Sequence, residues 1–590
     1  MKKWRRSSGA SISKGKGTFF SVWAPYAKNV DLKILTPKEK YIPMHPQADG
    51  YYTLSLPEIE EELDYFFVIN GDELADPASN WQPNGVKGPS RPLDHSKFQW
   101  SDENWKGIPL QDHIIYELHV GTFTEKGTFE AIIEKLPHLQ KLGITAIELM
   151  PISSFPGDRN WGYDGVFPFA PQESYGGPSG LKSLVNSCHE MGIAVLLDVV
   201  YNHFGPEGSV FHSFGPYMTD KYHTPWGKAL NFDGKDSAPV RQYIIDNALY
   251  FLSDYHIDGL RLDAIDGIFD TSPKHILQEL QEEFHLQASR IGKEAWITAE
   301  SDLNEAKLIE PVSQNGYGID AVWGDEYHHA LRTLLIADHS AYFVDFGKMS
   351  DLKKAIVEGF VYDGRWSTYR EKEFGTSSKH LPGDKFVIFS QNHDQIANAS
   401  KGKTFVDLIS KDQLKVAACI LLFSPSIPLL FMGQEWGSKA PFDFFTSFES
   451  KSLAEAVKEG RKKEYEAHYI AEMFKDPQDP QTFFDSKLQW EQRDNEILTL
   501  YEKLIAMRKS HPAMQNFDRQ SVRVIIDESK RFISITRQSA DCAEMIKLVA
   551  NMGNKELKLK EEQMQIRLDT RDKGAPPNAL PPWSAYIASS

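Results

Sequence analysis

The sequence predicts an α/β fold class: a (β/α)8 TIM barrel with an N-terminal β-sandwich module and a small C-terminal β domain. Three observations carry this. From Ile114 onward, eight short apolar runs alternate with helix-like segments, and each run finishes on polar residues. Before about residue 100, short alternating runs are separated by turn residues at sandwich spacing. After about Ser521 the alternating β pattern returns. The expected boundaries are 1–100, 108–515 and 520–590.

The N-terminal strands are read at Phe19–Pro25, Asn29–Leu35, Gly50–Leu56 and Tyr65–Gly71, followed by a linker punctuated by Asp76-Pro77 and Gly88-Pro89. The barrel runs are Ile114–His119, Ile144–Met150, Ala194–Val200, Ile257–Asp263, Ala295–Glu300, Gly318–Trp323, Phe386–Gln391 and Pro428–Met432. Helices are predicted over Thr128–Leu142, Gly180–Met191 and Tyr243–Tyr255. Three connections exceed ordinary loop length: Asn202–Asp233, Ala337–Lys385 and Gly437–Gln489. Long loops on the C-terminal side of barrel strands are substrate architecture, although the Lys- and Glu-rich Lys451–Glu466 reads equally as a solvated helix. C-terminal strands are read at Val522–Ile526, Phe532–Arg537, Ile546–Asn551 and Ser584–Ile587.

Composition bounds the function. A chain of 590 residues, 41% hydrophobic, can bury a large core, and a formal charge of -17 argues against nucleic-acid or anionic-membrane partners. Cys188, Cys419 and Cys542 lie far apart and supply neither a disulfide framework nor metal spacing, which suits a reducing, cytoplasmic setting. The basic start Met1–Arg6 lacks a following apolar core, so no signal peptide is expected. Pro425 and Pro428 divide the longest apolar run, which is not read as a membrane span.

The chemistry lies at the strand ends. Asp263, Glu300 and Asp394 each follow a predicted barrel strand, and a barrel brings such positions to one rim. Two carboxylates about 5 to 5.5 Å apart, one ionised and one protonated, are the apparatus of retaining glycoside hydrolysis. A neighbouring anion and burial raise the pKa of the acid. Arg261 beside Asp263, with His203 and His393, offers donors to sugar hydroxyls, and Tyr163 offers an aromatic plate. Each feature alone has a blander explanation: an R-x-D is commonly a surface ion pair, Asn392-His393-Asp394 a loop turn, Tyr201-Asn202-His203 a helix cap. In order on predicted barrel strands, they point together.

Asp198-Val199-Val200-Tyr201-Asn202-His203, Gly259-Leu260-Arg261-Leu262-Asp263, Ala299-Glu300 and Asn392-His393-Asp394 resemble, in order, the four motif regions of the α-amylase superfamily (glycoside hydrolase family 13). Phe20–Pro25 resembles the start of the N-terminal module of its branching and debranching members. The resemblance implies Asp263 as nucleophile, Glu300 as acid/base and Asp394 as transition-state stabiliser. It places His203, Arg261, Asn392, His393 and Tyr163 around the scissile sugar, with Asp198 supporting Arg261.

Asn202–Gly208, Tyr222–Gly227, Asn231–Gly234, Glu300–Asn304, Val322–Ala330, Gly359–Gly364 and Pro428–Trp436 further resemble a trehalose-releasing subfamily. That implies hydrolysis of the α-1,4 bond next to the terminal trehalose unit of maltooligosyltrehalose. By the same analogy Asp266, Asp325, Glu326, His328 and Gln395 belong to substrate-contacting loops, and Trp226 walls the leaving-group side. The sequence departs from the pattern at Asp266 (His expected), Ala397 and Ala399 (Gly and Arg) and Gln434 (Glu). Alternatives are a glycogen branching or debranching enzyme, or an inactive glucan-binding protein, the latter disfavoured by the three carboxylates. No cofactor is expected, since no Gly-rich phosphate loop joins a strand to a helix, and no metal ligands are assigned.

Overall fold

A computed structural model describes residues 4–13, 15–57, 63–399, 402–467, 474–559, 564–571 and 578–589. The first three residues of the basic start, Met1–Lys3, lie outside them. Two antiparallel four-stranded sheets form the N-terminal module. Phe20 of one sheet meets Tyr65 of the other edge-on, centroids 5.0 Å apart and both rings buried, so alternating apolar positions supply the filling between the sheets. Four strands escaped the sequence reading: Gly9–Ser13, Lys40–Pro43, His45–Pro46 and Asp72–Leu74. The last three are short and largely exposed, with little apolar alternation to reveal them.

The barrel closes from eight parallel strands: β1 (Ile115–Leu118), β2 (Ala146–Leu149), β3 (Ala194–Val199), β4 (Gly259–Leu262), β5 (Trp296–Ala299), β6 (Ala321–Trp323), β7 (Phe386–Phe389) and β8 (Ile427–Phe431). Each was legible because buried strands read as short apolar runs ended by polar residues. Strand register sets which polar side chains share a level of the barrel. Asp198 of β3 pairs with Arg261 of β4, and Glu117 of β1 with Glu148 of β2.

The helix expected over Thr128–Leu142 is two, Phe129–Ile133 and Leu136–Leu142. Pro137 causes the break: without an N–H it is tolerated only in a first turn, so the second helix begins beside it. The helices Gly177–Glu190 and Ser237–Asp254 start earlier than their sequence signals. The three long connections each carry secondary structure of their own. The first folds the hairpin Met218–Thr224/Gly227–Leu230, the second the helix Met349–Glu358 and the hairpin Asp363–Ser367/Lys372–Gly375, and the third the helix Lys451–Ala467. The C-terminal part forms a five-stranded antiparallel sheet, with buried Arg537 donating to the Phe423, Met514 and Asn516 carbonyls. Among the described residues no helix is long and apolar enough to cross a membrane.

The linker between module and barrel is clamped beneath the strands. Asp102 accepts from His189 Nδ1 at 2.7 Å and His256 Nδ1 at 2.8 Å, while His189 Nε2 lies 2.9 Å from Asp258, which also pairs with Lys293. Trp105 stacks on His189 and donates to Asp258. Burial opposes these charges, but the opposed partners outweigh it: Asp102 lies well below the usual carboxylate range and His189 above the usual imidazole value. The carboxylate's contribution to stability is present above about pH 4 and lost as pH falls through its folded pKa. The imidazolium's is present below about pH 6.5 and lost as pH rises through its raised one. Asp102→Asn should therefore lower Tm most between roughly pH 4 and 6.5, with the difference shrinking toward alkaline pH. A Tm difference that stays flat across that range and above it contradicts the charged clamp.

Candidate active site

At the C-terminal rim of the barrel one side chain joins the acidic positions. Arg261 is fully buried. Its Nη1 donates to Asp198 Oδ2 at 2.7 Å and Asp263 Oδ1 at 2.9 Å, and its Nη2 lies 2.8 Å from Glu300 Oε2. The guanidinium rests 4.2 Å from the centroid of Trp323 on β6. Parallel pairing fixes this geometry: Arg261 is level with Asp198 on one side and Thr298 on the other, and Glu300 follows β5 directly. Asp263 is held a second time by Asn202, whose Nδ2 donates to its Oδ2 and to its carbonyl, both at 2.9 Å. Glu300 accepts from the Ala264 N–H at 2.9 Å. Ala264 takes a left-handed φ of 36°, bending the chain straight after Asp263.

A second chain of donors runs from β1. Glu117 accepts from His393 Nδ1, His393 Nε2 donates to the Tyr163 hydroxyl at 2.9 Å, and Tyr163 donates to Asp198 at 2.7 Å. Burial opposes charge on His393, yet Glu117 outweighs it and raises the imidazole to about 9. The Tyr163 and His393 rings stack at 5.4 Å. Asp394 is the most open of the acidic groups, its side chain 35% exposed, with Asn398 Nδ2 donating to Oδ1 at 3.1 Å and His393 3.6 Å from Oδ2. Burial, reinforced by Asp263, Asp394 and Asp325, holds the Glu300 carboxyl well above the usual carboxylate range despite Arg261. Burial likewise pushes Asp325 up to about 7.

The remaining predicted residues divide. Trp226, half exposed at the hairpin tip, stacks on buried His203 at 5.6 Å. Gln395 donates to Asp325 at 3.0 Å. Asn392 caps the turn below Asp394 by accepting from the Gln395 N–H. Asp266 is occupied by Ser301 Oγ and the Asp302 N–H, so it ties the β4 loop to the β5 loop. Glu326 is buried and accepts from Asn304 and the N–H groups of Val361 and Tyr362. His328 is fully buried, with Nδ1 facing the Ser390 carbonyl and its ring stacked on Phe405. Gln434 sits behind the rim, donating to Ser390 and Tyr501.

The sequence reading gave no role to Glu117, Glu148 or Trp323, nor to Asn202 beyond its motif. A glutamate inside an apolar barrel strand, as in Ile115-Tyr116-Glu117-Leu118 and Ile147-Glu148-Leu149, was the available signal: it must face the barrel interior and find a charged partner there. Glu117 finds His393. Glu148 stays buried with no hydrogen-bond partner among the described residues and well above the usual carboxylate range, mainly through burial.

A closed parallel barrel with three carboxylates converging on one buried arginine defines a glycoside hydrolase of the alpha-amylase class. Comparison with known proteins agrees. The family described as "Alpha amylase, catalytic domain" matches residues 95–226, and "Carbohydrate-binding module 48 (Isoamylase N-terminal domain)" matches residues 7–81. The malto-oligosyltrehalose trehalohydrolase of Saccharolobus solfataricus is 44% identical, the match covering 84% of this chain and 86% of the relative. That of Arthrobacter ramosus is 40% identical over 88% and 91%. A crystal structure from Salmonella typhimurium carrying a provisional alpha amylase name superposes with a TM-score of 0.91 at 34% identity, covering 100% of both chains. The chain belongs to the malto-oligosyltrehalose trehalohydrolase family.

The Glu117–His393 pair can be tested directly. Histidine-resolved NMR titration should find His393 charged at neutral pH, titrating near 9. In Glu117→Gln its pKa should fall by about one unit or more; an unchanged titration contradicts the pairing.

Proposed function

We propose that this chain hydrolyses the α-1,4 bond adjacent to the terminal trehalose unit of maltooligosyltrehalose, releasing trehalose and a shortened maltooligosaccharide with retention at the anomeric carbon. The observation that carries the chemistry is Arg261 holding Asp263 and Glu300 on the two ends of one guanidinium. Carboxylates so gathered suit the close retaining spacing of about 5 to 5.5 Å rather than the wider gap that lets a water between them. The names of the relatives support the substrate.

In this reading Asp263, aimed by Arg261 and Asn202, attacks the anomeric carbon. Glu300, kept protonated by burial, gives its proton to the leaving glycosidic oxygen. Glu300 then takes a proton from water, the hydroxide adds to the anomeric carbon, and the ester to Asp263 breaks. Asp394 grips sugar hydroxyls as charge develops, the His393 imidazolium, held by Glu117 and Tyr163, places its charge beside Asp394, Tyr163 gives the ring a plate, and Trp226 over His203 walls the cleft. Asp325 and Gln395 contact substrate from the β6 and β7 loops. Glu326 and Asp266 act by fixing the loops that carry these groups, because their carboxylates are engaged within the protein, and buried His328 and the Asn392 turn cap support the same loops. Asp198 supports Arg261 and Tyr163. The three-part division at 1–100, 108–515 and 520–590 and a cytoplasmic setting belong to the same reading.

Maltotriosyltrehalose should yield trehalose and maltotriose, and a branched α-glucan should be left intact. Cleavage of the branched glucan alone indicates a debranching enzyme and overturns the assignment. Activity requires protonated Glu300, so kcat/KM should fall as pH rises through a pKa above the usual carboxylate range. Glu300→Gln should abolish that limb and cost about 10² to 10⁴-fold in rate.

A further inference from the structure

The long connection after β8 carries a helix, Lys451–Ala467, whose composition alone reads as a solvated surface element. One of its residues turns inward. Both Nη groups of Arg461 donate to Asn398 Oδ1, each at 3.0 Å. The guanidinium lies 5.1 Å from the Phe444 ring centroid, Phe444 abuts Trp161 at 5.2 Å, and Trp161 stands 5.3 Å from His393. At its other end the Asn398 amide donates to Asp394 Oδ1 at 3.1 Å. The start of the helix is itself pinned. Glu207, from the loop after β3, accepts from the Glu449 N–H at 3.0 Å and the Ser450 N–H at 3.1 Å, and pairs with Lys87 of the linker, which also reaches Glu449.

We propose that Arg461 and Asn398 are positioning residues for Asp394, so that the inserted helix completes the active site by fixing one oxygen of its most exposed carboxylate. Asp394 needs such a hold. Its side chain is 35% exposed, and its other oxygen lies 3.6 Å from His393, beyond hydrogen-bond reach. A guanidinium on the amide oxygen polarises Asn398 and strengthens the N–H that it offers to the carboxylate. With Oδ1 held, Oδ2 stays turned toward the sugar, where charge develops as the bond breaks. Preorganisation of this kind acts in the transition state, so its loss falls on kcat and leaves ground-state binding nearly unchanged. Neither residue touches the reacting atoms.

The proposal rests on Asp394 acting as the transition-state stabiliser. Its test compares Arg461→Met, Asn398→Ala, their double variant, Arg461→Lys, and Lys462→Met as a control on the exposed side of the same helix, all in the full-length protein with maltotriosyltrehalose. We expect kcat to drop about tenfold in each of the first two with KM within about twofold. The double variant should be no worse than Asn398→Ala, Arg461→Lys should recover part of the loss, and Lys462→Met should match wild type. In an Asp394→Asn background, Arg461→Met should cost nothing further. Wild-type kcat in both single variants, losses that multiply in the double variant, or a further loss in the Asp394→Asn background would overturn the relay. If the wild type releases no trehalose, the substrate assignment fails by itself, and the same variant cycle is read on whichever α-glucan is cleaved.

Discussion

The active site depends on a buried cation. Arg261 has no solvent exposure and faces three carboxyl groups, and the cost of burying it is offset because Asp198 and Asp263 accept its hydrogen bonds and Glu300 lies against its other nitrogen. Removing Asp198 or Asp263 takes away part of the compensation for the buried guanidinium; removing the arginine sets those two carboxylates against each other beside Glu300. In the proposed reaction the same guanidinium orients the attacking carboxylate and touches the one that must carry a proton. One constraint therefore serves both stability and chemistry. The donor chain Glu117–His393–Tyr163–Asp198 meets Arg261 at Asp198 and links the β1 side of the barrel to β3 and β4.

Asp263, Asp394 and Asp325 form an acidic rim around Glu300 and add to the upward shift of its carboxyl. Burial makes the largest contribution, so in the proposed reaction the barrel core beneath the rim bears on the acid's proton.

Much of this was legible in the sequence. Barrel strands are short, apolar and ended by polar residues, and Asp263, Glu300 and Asp394 stood where such strands stop. Less legible was which face of an element each polar residue takes. Glu326 and His328 follow a strand and open a helix, as rim residues do, yet the helix turns them inward onto the Val361–Tyr362 backbone and Phe405. Asp266, expected at the sugar, also ties the β4 loop to the β5 loop, a bond across loops that sequence order does not show. Glu117 escaped notice because its partner, His393, is 276 residues away. The charged helix after β8 was ambiguous for the same reason: local sequence shows a solvated surface, and only the fold brings Arg461 to Asn398.

The central claim is that Asp263, held by Arg261 and Asn202, is the nucleophile of a retaining reaction. The most direct measurement is to trap the covalent intermediate with a 5-fluoro-α-glucosyl fluoride and map the modified peptide by mass spectrometry. The account predicts a glycosyl ester on Asp263 and a product that keeps the α configuration. A label on Glu300 or Asp394, or a product of inverted configuration with no label, would contradict it.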